Sequence, residues 1–140
     1  MPGFETSGMG EKIGESATDL SEGDEVYAYR YPGGGYTEYL AAPGRFVARK
    51  PASLWFEEAA SVPLAGAAAQ QGLVYELKVR EGEMVLITAT AGEVGTFAVQ
   101  IASKALGARG IGTGSLTNYL RGLGAAEATS RTAATQSSWW

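Results

Sequence analysis

The spacing of apolar positions along this chain changes twice. Up to about residue 50 they fall in short runs of strand character, Glu25–Tyr29, Tyr36–Ala42 and Phe46–Ala48, separated by Ser-Glu-Gly-Asp, Pro-Gly-Gly-Gly and Pro-Gly turns. That stretch predicts a β-barrel or sheet. From Leu54 the spacing becomes helical: Trp55 to Ala60 predicts a short helix, Pro63 restarts the chain, and the Ala-rich segment Leu64–Leu77 predicts a linking helix. Lys78–Glu83 reads as a polar turn and Val85, Leu86 and Ile87 as a buried strand. Phe97, Val99, Ile101, Ala102, Ala105 and Leu106 then repeat at helical spacing up to Gly107, a natural left-handed stop. A second strand, Arg109–Thr113, is expected to pair parallel to the first, although Ile111 is its one bulky apolar residue. Asn118–Leu123 predicts one or two helical turns ending at Gly124. Ala125–Trp140 has no periodicity, so a disordered tail is expected, with Trp139 and Trp140 exposed or packed on a partner.

The junction between the Val85 strand and the long helix carries the chemistry. It reads VLITATAGEVGTFAVQIASKAL, with Ala89-x-x-Gly92-x-x-Gly95 at the turn. A buried strand that turns sharply into a helix aims the helix N–H groups at one point, and small residues let the backbone approach a pyrophosphate there. Ala89 stands where the common dinucleotide fingerprint has its first Gly, Gly92 removes a side chain where phosphate would lie, and Gly95 allows close helix–strand packing. The alternative is a tight strand-to-helix turn with no ligand.

Composition narrows the remaining possibilities. The 140 residues, 45% of them apolar, suffice for one core-bearing domain and are short for two complete ones. Eleven basic against fifteen acidic side chains give a net charge of −4 with no long block of either sign, which speaks against a nucleic-acid face or a polybasic membrane patch. No stretch approaches the ~20 apolar residues that span a bilayer, and MPGFETSGMGEK lacks the pattern of a secretory signal, so a cytoplasmic setting is expected. The chain has no Cys and no His. Thiolate zinc sites, disulfides and an imidazole general base are thereby excluded, no metal site is expected, and chemistry falls to carboxylates, Lys, Arg, Tyr, Ser, Thr or a bound cofactor.

Two further clusters have simpler readings. Tyr27, Tyr29, Tyr31, Tyr36 and Tyr39 could stack on a flat substrate, but period-two tyrosines more commonly pack as cross-strand pairs. Adjacent Glu57 and Glu58 would point about 100° apart on a helix, so they suit helix N-terminal charge better than paired acid–base catalysis. Asp24 and Glu25 read as turn residues.

Taken in order, these segments resemble the zinc-independent quinone oxidoreductases (zeta-crystallin-like) of the medium-chain dehydrogenase/reductase superfamily, from Pro2 to about Ala126. PGFETSGMGEKIGESATDLSEGDEVYAY resembles the family's approach to its Gly-Asp-x-Val strand. GGGYTEYLAAPGRFVARKPASLWFEEAASVPLAG resembles its Gly-Gly-aromatic-x-Glu-Tyr hairpin, barrel exit and Glu-Glu-Ala-Ala helix. VLITATAGEVGTFAVQIASKALGA resembles its nucleotide-binding turn. The resemblance implies a mixed α/β fold, a partial GroES-like β-barrel over 1–53 followed over 54–126 by linking helices and an incomplete Rossmann-type nucleotide-binding unit, with 127–140 as the tail. It also implies that the family's barrel start and the completion of its nucleotide sheet lie outside this sequence, making the chain an internal fragment of that architecture.

By the same resemblance the cofactor is NADPH, held by Ala91, Gly92, Glu93, Val94 and Gly95 at the turn and by Ser115 and Asn118 after the second strand. The substrate is a small molecule, a quinone, enone or enoyl thioester, reduced without zinc; no catalytic residue is assigned, and a homo-oligomer is a possible assembly. The chain departs from the family pattern at several points. Glu93 replaces a small residue and sets a carboxylate near the expected pyrophosphate, Ala68 stands where relatives often carry Thr, and neither the family's Lys within Ser115–Asn118 nor its Tyr near Ser130–Arg131 has an equivalent. Arg121 would replace that Lys only if its helix faced the ribose; a solvated surface Arg is the plainer reading. Two functions follow as expectations: a quinone or enone reductase, or a diverged, catalytically silent relative acting as a binding or oligomerising module.

Overall fold

The computed structural model describes residues 2–15 and 17–130. Two compact units divide between Leu64 and Ala65. The first contains strands β1 (Glu5–Met9), β2 (Glu25–Tyr29) and β3 (Val47–Arg49) and helix α1 (Phe56–Ala60). The second contains β4 (Met84–Ile87), α3 (Glu93–Gln100), β5 (Arg109–Thr113), α4 (Thr117–Leu123) and β6 (Glu127–Thr129). Helix α2 (Pro63–Gln70) carries the division point. The mixed α/β class expected from the sequence is what the structure shows.

In the first unit β2 is central and both neighbours are antiparallel to it, with Glu5 opposite Tyr29, Met9 opposite Glu25, and Val26 opposite Arg49. The sheet is open; no closed barrel exists among the described residues. Helix α1 starts where Glu58 accepts the Trp55 N–H at 2.9 Å, so one of the two acidic residues does serve the helix N-terminus. The helix is tied to β1 by the Ser7 hydroxyl, which donates to the Phe56 carbonyl. The nearly buried Lys50 ammonium donates to the Leu54 carbonyl at 2.6 Å, pairs with Glu25 at 2.9 Å, and lies 5.3 Å from the Phe56 ring centre. It thus joins the end of β3 to the start of α1.

Several sequence expectations are corrected in this unit. β1 was not among the expected strands, because ETSGM offers no apolar alternation; it exists because β2 supplies a hydrogen-bonding edge. Tyr36–Ala42 forms no strand. Gly33 and Gly34 adopt φ of 113° and 107°, and the chain folds back so that the Gly34 and Gly35 N–H groups donate to Pro2 and Gly3 carbonyls. Tyr31, Tyr36 and Tyr39 are consequently exposed, and no cross-strand tyrosine pair forms: Tyr27 faces Ser7 in register, while Tyr29 meets Phe46 edge-on at 6.2 Å. The Phe46–Ala48 run is shifted, a 3₁₀ turn over Gly44–Phe46 leading into β3. The unit also extends past residue 53, because α1 packs on β1 and β2.

The second unit follows the sequence more closely. α2 continues as a π-helical segment through Glu76, Gly82 and Lys78 turn with positive φ, and β4 begins at Met84. β4, β5 and β6 form a parallel sheet in that order, Leu86 beside Ile111 and Ile111 beside Glu127. Its core joins Leu73, Ile87, Val99, Ala102 and Leu120, with Val85 and Phe97 packed against it. β5 holds the centre despite its glycines. Gly110 lies under Val99, and Gly112 under Thr90 and Leu120, so the missing side chains leave the room that the covering residues occupy. α3 continues through a π-helical segment, Ile101–Ala105, and stops at Gly107 with φ of 65°; α4 ends at Gly124 with φ of 113°. Glu127–Thr129, expected in the structureless tail, is instead a strand: β5 offers it a free edge, a cue invisible in an aperiodic Ala-Thr stretch. Trp139 and Trp140 lie outside the described residues.

Candidate dinucleotide-binding site

At the carboxyl end of β4 the backbone turns through Thr88–Gly92 into α3. Ala89 has φ of 50°, the left-handed conformation for which the fingerprint supplies glycine, and an alanine there costs about 1–2 kcal/mol. Thr90 offsets this strain. Fully buried, it donates its hydroxyl to the Ile87 carbonyl at 2.6 Å, accepts the Thr113 N–H at 3.0 Å, and donates its own N–H to the Thr113 carbonyl at 3.0 Å.

Gly92 is the residue before α3; its N–H donates to the Ala89 carbonyl at 2.9 Å, and it is exposed. Gly95 is buried, and a Cβ there would stand 2.6 Å from Thr90 Cα and 2.7 Å from the Ala89 carbonyl oxygen. Helix and turn are therefore in backbone contact. The first bond of the helical ladder runs from Thr96 N–H to the Gly92 carbonyl, so the N–H groups of Glu93, Val94 and Gly95 precede it. Glu93 and Val94 are exposed, and the Glu93 carboxylate belongs to the same first turn.

The sequence-predicted residues fall in two places. Ala91 to Gly95 are contiguous at the turn and the first turn of α3. Ser115 follows the end of β5 and Asn118 lies in the first turn of α4, both exposed. The β5 exit runs against the turn: a Cβ on Gly114 would lie 3.6 Å from the Ala91 nitrogen. Ala68 is exposed on α2, and the exposed Arg121 reaches the Ala128 carbonyl at 3.5 Å. Sequence reasoning passed over Thr90, Gly112 and Gly114. A Thr between two alanines in a turn, with glycines at alternate positions of the neighbouring strand, was the available signal. Among the described residues no group of three acidic, Cys or His side chains is placed to hold a metal, and no helix is long and apolar enough to cross a membrane.

No protein-family model matches the chain. It is 36% identical over 112 residues to a quinone oxidoreductase-like protein 2 homolog of Nematostella vectensis, covering 80% of this chain and 31% of that protein. It is 35% identical over 136 residues to the chloroplastic NADPH-dependent alkenal/one oxidoreductase of Arabidopsis thaliana, covering 89% and 35%. Over most of its length the chain is similar to the quinone oxidoreductase family of the medium-chain dehydrogenase/reductase superfamily. It spans about a third of the length of these two relatives. Polyketide synthase GfsB of Streptomyces halstedii is 44% identical over 126 residues, 89% of this chain and 2% of that protein. Among solved structures, an alcohol dehydrogenase superfamily protein from Novosphingobium aromaticivorans superposes with a TM-score of 0.86 at 33% identity, covering 94% of this chain and 41% of that one. The CurK enoyl reductase gives 0.79 at 35%, covering 89% and 38%. A mycobacterial protein complexed with NADPH gives 0.77 at 32%, covering 91% and 40%.

Proposed function

We propose that this chain carries the cofactor-binding turn of an NADPH-dependent reductase that passes a hydride to a quinone or an activated carbon–carbon double bond without zinc. The observation that carries the reading is the β4–α3 turn itself. Its helix N–H groups precede the hydrogen-bond ladder, exposed Gly92 leaves their approach open, and Gly95 holds helix against turn. These features fit a pyrophosphate, and one exposed carboxylate, Glu93, opposes it.

In this reading the N–H groups of Glu93, Val94 and Gly95 bind the pyrophosphate, Ala91 and Gly92 allow its close approach, and Ser115 and Asn118 serve the ribose end. Bound NADPH supplies the hydride. The chain's part is to fix the cofactor's position, because a carrier held in one orientation reacts as if at far higher concentration. Within the substrate class, an enoyl thioester is favoured: the polyketide synthase relative is the most identical of those named above, and one neighbouring structure is an enoyl reductase.

A second reading, a silent binding or oligomerising relative, is favoured by Glu93, whose like charge weakens dinucleotide binding. Self-association would suit the exposed Met84 and Leu86 on the edge strand β4. Titration of the folded chain with NADPH and, separately, NADH, following nicotinamide fluorescence and thermal stability together, decides between them. Saturable NADPH binding with a rise in Tm supports the reductase reading. A folded chain that binds neither cofactor overturns it.

A further inference from the structure

Thr90 is the one polar side chain fully buried among the described residues, and its hydroxyl lies between two strands rather than within one. It donates to the carbonyl that ends β4, Ile87, and accepts from the amide that ends β5, Thr113. The adjoining Thr90 N–H returns a bond to the Thr113 carbonyl. Both backbone polar groups of Thr113 are therefore held by one residue of the turn.

The surroundings are shaped to this side chain. A Cβ on Gly112 would come within 3.1 Å of the Thr90 hydroxyl oxygen and 3.2 Å of its methyl carbon, so the neighbouring strand leaves the room that threonine fills. On its other side a Cβ on Gly95, the glycine that brings α3 onto the turn, would stand 2.6 Å from Thr90 Cα. Thr113 leads directly to Gly114, where a Cβ would stand 3.6 Å from the Ala91 nitrogen. Thr90 thus touches each of the pieces that must keep register for the candidate site to hold its shape: the end of β4, the end of β5, and the start of α3.

We propose that Thr90 is a positioning residue, whose hydroxyl locks the anion-binding turn to the β5 exit so that the two halves of the dinucleotide site are held in one geometry. The proposal rests on the cofactor reading above. A valine has nearly the shape of threonine but can neither donate nor accept, whereas a serine keeps the hydroxyl and loses only the methyl group. At a temperature well below the Tm of every variant, the Kd of the full chain for NADPH is measured by fluorescence for wild type, Thr90→Val and Thr90→Ser. The expected result is a Kd about tenfold weaker in Thr90→Val and restored to within about threefold of wild type in Thr90→Ser. Packing alone would not produce that rescue, since valine is the closer steric match.

A folded Thr90→Val chain that binds NADPH as tightly as wild type overturns the proposal and leaves the cofactor reading standing. A folded wild-type chain that does not bind NADPH overturns the cofactor reading, and the proposal with it. Should Thr90→Val fail to fold, amide hydrogen exchange on the wild-type chain replaces it. Exchange at Thr113, remote in sequence from the turn, is expected to slow when NADPH is added, and no change there overturns the lock.

Discussion

The two units of this chain are held together by different physics. The parallel unit has a continuous apolar core in which Val99, Ala102 and Leu120 are completely buried. In the antiparallel unit, up to Leu64, the buried apolar residues among those described are two alanines, Ala28 and Ala59. Its elements are joined instead by polar contacts, most of them spanning long stretches of chain: Ser7 to the Phe56 carbonyl, Glu5 to the Leu64 N–H, Lys50 to Glu25 and Arg49 to Asp24, with the local bond from Lys50 to the Leu54 carbonyl beside them. Apolar burial is non-directional and sums over area, so a small sheet can rest on a core even when its strands are poor, as β5 is. Polar contacts are directional and gain little net of water, so they select a geometry more than they stabilise it. The turn proposed to bind the cofactor belongs to the unit with the core, which would suit a site that must hold a ligand at fixed geometry.

Truncation in the core gives the largest test of that contrast. Leu120→Ala empties a fully buried position against Gly112 and the rest of the cluster, and should lower unfolding free energy by about 2–5 kcal/mol in a denaturant titration. A loss below ~1 kcal/mol would show that the parallel unit does not rest on its core. In the antiparallel unit Lys50→Ala removes the donor from the Leu54 carbonyl and leaves Glu25 without its ion pair. The expected cost is about 1–3 kcal/mol, read by urea unfolding followed at the aromatic residues of that unit. Equal or greater loss than from Leu120→Ala would reverse the assignment of the two regimes.

A smaller effect of opposite sign is expected at the turn. Glu93→Gln keeps shape and removes a carboxylate from the first turn of α3, so on the proposed reading NADPH should bind about fivefold tighter, near 1 kcal/mol, with the gain shrinking as salt is raised. Unchanged affinity would place the carboxylate away from the ligand. The smallest effect belongs to Asp24. The Ser21 N–H and, next, the Arg49 guanidinium hold its carboxyl below the usual value of 3.8. A carboxyl with a lowered folded-state pKa contributes stability that is present above its unfolded value and is lost as pH falls through the folded one. Asp24→Asn should therefore lower Tm slightly at neutral pH and flatten its decline below about pH 4 by the same small amount, since the variant lacks that contribution throughout; an unaltered acid limb would remove Asp24 from the account.

How much was legible follows the range of the interactions. The strand of Val85 to Ile87, the turn, the helix to Gly107, Arg109–Thr113 and the helix ending at Gly124 were readable, because period, glycine stops and turn composition are local properties that act within a few residues. β1 and β6 were not, since ETSGM and EAT carry no apolar alternation and become strands only where β2 and β5 present open edges. Tyr36–Ala42 failed in the opposite direction: its composition suits a strand, but the glycines before it turn the chain back on Pro2 and Gly3. The glycines of β5 leave the space that Thr90 and Val99 fill, a fit that depends on residues outside the strand.

The sequence by itself determined the chemical inventory, without Cys or His, and the local turn Ala89-x-x-Gly92-x-x-Gly95 between a strand and a helix, because both depend on residue type and near spacing alone. Tertiary structure decided which segments pair as edge strands, that Ala89 takes a left-handed conformation, and that Thr90 joins β4 to β5 across 23 positions of chain. Those outcomes depend on partners distant in sequence, whose contacts form only once loop closure has brought them together.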